Sequence, residues 1–125
     1  MNALLITGGL LNALLAVFHI LFWKIFNWKE SLKPLDSLQR AIMQVLNIHL
    51  LLFMWVVAYI SVFESSEMLS TSIGQALMIF VAAFYLIRAA NQFIFFDMRK
   101  GFSWMIVVYC LALTVLYGWS WSSVI

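Results

Sequence analysis

Four long apolar runs dominate the chain, and their length limits what it can fold into. They cover residues 4–23, 41–62, 73–96 and 102–121, with short polar connections between them. A helix needs about 20 mostly apolar residues to cross the hydrocarbon core of a bilayer. We therefore expect an all-α fold, a four-helix transmembrane bundle in which residues 1–125 form a single transmembrane domain.

The composition argues against the other structural classes. Hydrophobic residues make up 66% of the chain and charged residues only 10%, whereas charged residues make up about 25% of a typical soluble domain. One proline, Pro34, and the small number of turn residues argue against a membrane β-barrel. The basic residues lie in the connections between runs, so they indicate membrane topology and not nucleic-acid binding.

The charges of the connections predict the orientation. Six basic residues lie in the first and third connections: Lys24, Lys29, Lys33, Arg40, Arg99 and Lys100. The second connection contains Glu64 and Glu67 and no basic residue. Because basic loops stay in the cytoplasm, we expect both termini, Met1 and Ile125, on the outer side of what we take to be a bacterial inner membrane.

Polar side chains within the runs are the candidate functional residues, because they are costly in hydrocarbon and rare there. Most of them fall in the half of the bilayer nearest the basic connections. Arg88, Gln92 and Tyr85 share one helical stripe of the third run. The candidate ligand-binding residues are Arg88, Gln92, Asn91, Tyr85, Asn47, Gln44, His19 and His49.

Arg88 is the most informative of these residues, since no run contains an aspartate or glutamate. Asp97 lies about 13 Å further along the same helix at ~1.5 Å per residue, too far for an ion pair. A charged guanidinium there needs amide or carbonyl oxygens, water, or an anionic group of a bound molecule.

We therefore expect an intramembrane pocket, open to the cytoplasmic half, that binds an anionic or polar-headed small ligand or lipid, with transport as a further option. The structural alternative is that the amides bond to one another across helices and Arg88 extends to the headgroups.

Two other functions stay open, haem or pigment binding and a small membrane enzyme, whereas a metal site is disfavoured. His19 and His49 could supply two axial ligands to a haem or another pigment. A small lipid- or isoprenoid-directed enzyme could use His49 as a base, although no catalytic triad can be assembled without an acidic residue. A metal site is disfavoured because the membrane runs offer only these two histidines and Cys110 as ligands.

Polar residues on different faces of the second run predict contacts beyond one protomer. His49 lies roughly 200° around the helix from Asn47 at about 100° per residue. A single bundle is therefore not expected to satisfy both side chains. We expect a homo-oligomer, or a subunit of a larger membrane complex, in the lipid bilayer.

Overall fold

The computed structural model describes residues 2–125, so Met1 lies outside the described residues. Within that range the chain is helical, without a β-strand. The seven helices are α1 (Asn2–Ile20), α2 (Phe22–Ile25), α3 (Trp28–Ser31), α4 (Ser37–Phe63), α5 (Ser65–Ser70), α6 (Ser72–Phe95) and α7 (Gly101–Ser122). Helices α1, α4, α6 and α7 are long and apolar enough to cross a membrane, which confirms the prediction of a helical membrane protein with four spanning helices.

Polar side chains cap the first turn of two of the long helices, α4 and α6. Helix α4 begins at Ser37 because the side chain of Asp36 accepts a hydrogen bond from the backbone N–H of Gln39 at 2.8 Å. Thr71 caps α6 in the same way, by accepting from the backbone N–H of Gly74 at 3.0 Å. Such caps satisfy backbone donors that the first helical turn leaves free.

The connection between α1 and α4 folds back onto the bundle. Asn27, which separates α2 from α3, has a left-handed backbone conformation with φ of 49°, one that asparagine tolerates better than most residues. The next residue, Trp28, is buried together with Leu32. The indole ring of Trp28 lies 5.7 Å from the ring of Phe22 and 5.0 Å from that of Trp23. The segment therefore covers one end of the bundle.

The spanning helices pack in the order α4, α1, α7, α6 around the bundle. Helix α1 packs along α4 and α7, and α6 packs along α7, whereas the described backbones of α4 and α6 approach each other at hardly any point. We call the end that carries the basic connections the basic end, and the end that carries α5 the acidic end. The ring of helices is therefore least closed between α4 and α6.

The half of the bundle nearest the acidic end is closely packed. At Gly9 an added Cβ would lie 2.7 Å from Cγ2 of Val62 and 3.0 Å from the carbonyl oxygen of Ala58. Only glycine allows α1 to come this close to α4. The buried apolar side chains of this half are Leu5, Val57, Met68, Met78, Val81 and Leu113. The cavity among the spanning helices lies nearer the basic end.

Candidate ligand-binding site

A cavity of about 650 Å³ lies among the four spanning helices, on the side of the closely packed half that faces the basic end. Most of its lining side chains are leucine, methionine or phenylalanine. Seven lining residues carry polar groups: His19, Trp28, Asn47, Tyr85, Arg88, Tyr109 and Cys110. The cavity is thus an apolar chamber with a small number of polar groups, as is usual for sites that bind small molecules.

Arg88 carries the only formal charge on the lining of this cavity. Its Nη1 donates a hydrogen bond to Oε1 of Gln92 at 2.9 Å, and its guanidinium carbon lies 5.3 Å from the ring centre of Phe96. Both contacts draw the guanidinium towards the basic end. Among residues 2–125 no aspartate or glutamate oxygen lies within 4.0 Å of it. Arg88 is therefore stabilised by an amide and an aromatic face, without a counter-ion.

Gln92 orients Arg88 through a chain of hydrogen bonds. The buried amide of Gln92 donates from Nε2 to Oγ of Ser103 at 3.1 Å, and Ser103 donates to the backbone carbonyl of Asp97 at 2.7 Å. Since its nitrogen is used in this way, the amide oxygen of Gln92 faces the guanidinium. The arginine is thus coupled to the turn between α6 and α7.

The same turn holds an exposed ion pair. Nε of Arg99 lies 3.1 Å from Oδ1 of Asp97, and the backbone N–H of Arg99 donates to the same oxygen at 3.0 Å. These hydrogen bonds, that of the Arg99 side chain first, lower the pKa of the Asp97 carboxyl. Asp97 is therefore ionised and engaged with Arg99, and its side chain does not neutralise Arg88.

His19 and Asn47 bring polar atoms from α1 and α4 to the cavity. Asn47 donates from Nδ2 to the backbone carbonyl of His19 at 3.0 Å. His19 donates from Nδ1 to the carbonyl of Leu15 at 2.8 Å, and its ring stacks on Phe22 with centroids 4.3 Å apart. With a proton on Nδ1, Nε2 of a neutral His19 is an acceptor.

On the side of the cavity nearest the acidic end, a network of buried hydrogen bonds joins all four spanning helices. The hydroxyl of Tyr85 donates to Oδ1 of Asn12. The amide nitrogen of Asn12 donates to the hydroxyl of Tyr117 at 3.1 Å, and the hydroxyls of Tyr117 and Ser61 lie 2.6 Å apart. Tyr85 therefore presents its ring to the cavity while its hydroxyl is engaged elsewhere.

The structure brings five of the predicted residues together and separates the other three from them. Arg88, Gln92, Tyr85, Asn47 and His19 line the cavity or bond to a residue that does. The others are Gln44, Asn91 and His49, none of which lines it.

Each of these three side chains lies elsewhere on the bundle. Gln44 accepts from the indole nitrogen of Trp23 at 3.1 Å. Asn91 is half-buried on α6. His49 is exposed on α4 and bonds through Nδ1 to the carbonyl of Val45 at 2.9 Å. His19 and His49 therefore do not share the cavity.

Several lining residues have no strong signal in the sequence. Trp28 lies where an interfacial tryptophan is expected, yet it is buried and lines the cavity. Tyr109 also lines it, and its hydroxyl donates to the carbonyl of Leu11. Tyr117 and Ser61 do not line the cavity but belong to the hydrogen-bond network around Asn12. A helical stripe that includes Cys110, Thr114 and Tyr117 is a weak signal for the position of Tyr117 only.

Comparisons with known proteins do not indicate a function for the chain. No protein-family model, curated protein or solved structure matches the chain. Residues 2–125 contain no group of three or more His, Cys, Asp or Glu side chains placed to hold a metal ion. Function is therefore inferred from the cavity and from the side chains that line it.

Proposed function

We propose that this membrane protein binds a molecule with an apolar body and an anionic head in the cavity beside Arg88. One observation carries the proposal. Arg88 lines an otherwise largely apolar chamber, and no carboxylate among residues 2–125 lies within 4.0 Å of its guanidinium. A charge in such surroundings is stabilised most by an opposite charge, which a bound anion supplies.

The size and lining of the cavity support the apolar part of this ligand. Its volume of about 650 Å³ lies within the roughly 300 to 1,000 Å³ of small-molecule sites. An apolar body would contact side chains such as Met54, Phe84 and Leu50, away from the guanidinium. The head would lie near Arg88, whose guanidinium offers N–H donors.

Binding is a better fit to the bundle than conduction or catalysis. The half near the acidic end is filled by apolar side chains and by the network of Asn12, Tyr85, Tyr117 and Ser61. No continuous path across the bundle is therefore proposed. We place the cavity in the cytoplasmic half of the membrane, since the loops nearest to it carry Lys24, Arg99 and the other basic residues.

The test compares two probes with the same C18 unsaturated skeleton and different heads, oleate with a charged carboxylate and oleyl alcohol with an uncharged hydroxyl. Protein in nanodiscs of neutral lipid is titrated with each probe, and bound probe is counted by native mass spectrometry. We expect wild-type protein to bind oleate at least tenfold more tightly than the alcohol, and Arg88→Gln to remove that difference.

Arg99→Gln is the matched control, because Arg99 is exposed and paired with Asp97 outside the cavity. It should keep the preference for oleate. If wild-type protein binds the acid and the alcohol equally well, or if Arg88→Gln keeps the preference, the proposal is wrong.

A further inference from the structure

Helices α4 and α6 touch through aromatic side chains at one level of the bundle. The ring of Phe53 on α4 lies 4.7 Å from that of Phe84 and 6.0 Å from that of Phe80, both on α6. This contact lies on the side of the cavity nearest the acidic end. Towards the basic end, the described residues of α4 and α6 make no hydrogen bond or aromatic contact with each other.

The side chains beyond this contact border an opening. Leu46 lies seven residues before Phe53 and so on the same edge of α4. It lines the cavity, yet 63% of its surface is exposed. On α6, Arg88 follows Phe84 by one turn and also lines the cavity. Leu46 and Arg88 therefore both border the cavity on the side where α4 and α6 have little backbone contact, and we call the space between them the lateral opening.

The basic end of the cavity is covered by aromatic side chains. Trp28 is buried and lines the cavity together with Phe22 and Phe96. Leu32 is buried one turn further along the same connection. A molecule approaching from water at this end meets these side chains, whereas one approaching from the bilayer meets the gap beside Arg88.

We infer that the ligand is a bilayer-resident amphiphile with an acyl chain and a carboxylate or phosphate head, which enters sideways between α4 and α6. This inference rests on the proposed function and adds the source of the ligand and its route. Charge complementarity favours an anionic amphiphile over an uncharged helix of another protein as the occupant of the lateral opening. Arg88 borders this opening, and no carboxylate among the described residues lies within 4.0 Å of its guanidinium. An amphiphile that moves sideways through this gap brings its head to the guanidinium while its chain stays in hydrocarbon.

A competing route runs between α1 and α7, where Leu14 also lines the cavity with 61% of its surface exposed. Two contacts hold α1 and α7 together on that side. Tyr109 on α7 donates to the carbonyl of Leu11 on α1, and the rings of Phe18 and Phe102 lie 6.1 Å apart. Arg88 is on α6, on the other side of the cavity, so this route is less suited to an anionic head.

The experiment measures how fast bound oleate exchanges. Protein in nanodiscs is loaded with deuterated oleate and mixed with vesicles that contain unlabelled oleate, and the bound mass is followed in time by native mass spectrometry. Leu46→Trp narrows the lateral opening without changing Arg88. We expect exchange to slow at least tenfold. Leu46→Ala should speed exchange.

Two tryptophan variants serve as matched controls. Leu52→Trp changes a side chain of α4 that is 60% exposed and does not line the cavity, and it should exchange at the wild-type rate. Leu14→Trp narrows the competing route, and it should slow exchange less than Leu46→Trp does. Slow exchange in Leu14→Trp with a normal rate in Leu46→Trp overturns the inference, as does a normal rate in both variants.

The outcomes separate the route from the site. Charge-dependent oleate binding with an unaltered rate in Leu46→Trp removes the lateral route and leaves the proposed function standing. No oleate binding by wild-type protein removes both. If the mass spectra show a dimer that Leu46→Trp dissociates, the gap is filled by a second copy of the chain, and the inference is wrong.

Discussion

Replacing Gln92 by glutamate tests whether the charge of Arg88 is available to a ligand. The substitution preserves the shape of the side chain and puts a carboxylate where the amide oxygen now accepts from Nη1 of Arg88 at 2.9 Å. The guanidinium then has an internal counter-ion. An anionic head bound to the same guanidinium would meet a second negative charge beside it.

The size of the effect follows from that geometry. Two carboxylate charges on neighbouring edges of one guanidinium lie about 5 Å apart, and at an effective dielectric constant of about 20 they repel by about 3 kcal/mol. This energy corresponds to roughly a hundredfold weaker binding of oleate. Oleyl alcohol carries no charge, so its affinity should change by less than about threefold.

Two further variants separate charge from hydrogen bonding. Gln92→Met removes the bond to Arg88 without adding charge, and we expect an oleate affinity within about tenfold of wild type, since one hydrogen bond contributes about 0.5–1.5 kcal/mol. Gln39→Glu adds the same charge in the exposed first turn of α4 and should have no measurable effect. If Gln92→Glu binds oleate as tightly as wild type in the same titration, the head does not lie at Arg88 and the reasoning fails.

Three other predictions address the fold. Asn12→Leu leaves two buried tyrosine hydroxyls without their amide partner and should lower the free energy of unfolding by about 1–3 kcal/mol, measured by denaturation in mixed micelles; no change would show the network to be dispensable. Gly9→Leu should lower the melting temperature because it forces α1 from α4, whereas Gly101→Leu, where an added Cβ meets nothing within 4 Å, should not. The Asp97 carboxyl should titrate below the usual range of aspartate, with its bond to Arg99 present at higher pH and lost as pH falls through the lowered pKa; Arg99→Ala should raise the midpoint seen by carbon NMR.

The sequence predicts the four spans and the partnership of Arg88 with Gln92 because both depend on local spacing. Apolar runs of sufficient length identify spanning helices, and residues four apart on a helix are neighbours. Spacing also shows that His49 points away from Asn47. It does not show which face meets a neighbouring helix, because in a bilayer both the protein interior and the lipid are apolar.

Tertiary contacts determine that Gln44 lies away from the cavity and that Trp28 covers it. Gln44 faces Trp23 only because α4 packs alongside the end of α1. Trp28 covers the cavity because the connection folds back at Asn27. A tryptophan near a helix end is equally compatible with anchoring at the membrane surface, so its burial does not follow from its position in the chain.

The network around Asn12 also bears on how the protein is assembled after synthesis. Asn12 belongs to the hairpin made by α1 and α4, yet its side-chain partners other than the backbone of Gly8 are Tyr85 and Tyr117 of the α6 and α7 hairpin. A first hairpin inserted by itself therefore exposes this amide to lipid until the second hairpin arrives. Docking of the two halves is thus favoured by polar pairing as well as by shape, because the amide oxygen of Asn12 gains its side-chain donor, Tyr85, only when the second hairpin is in place.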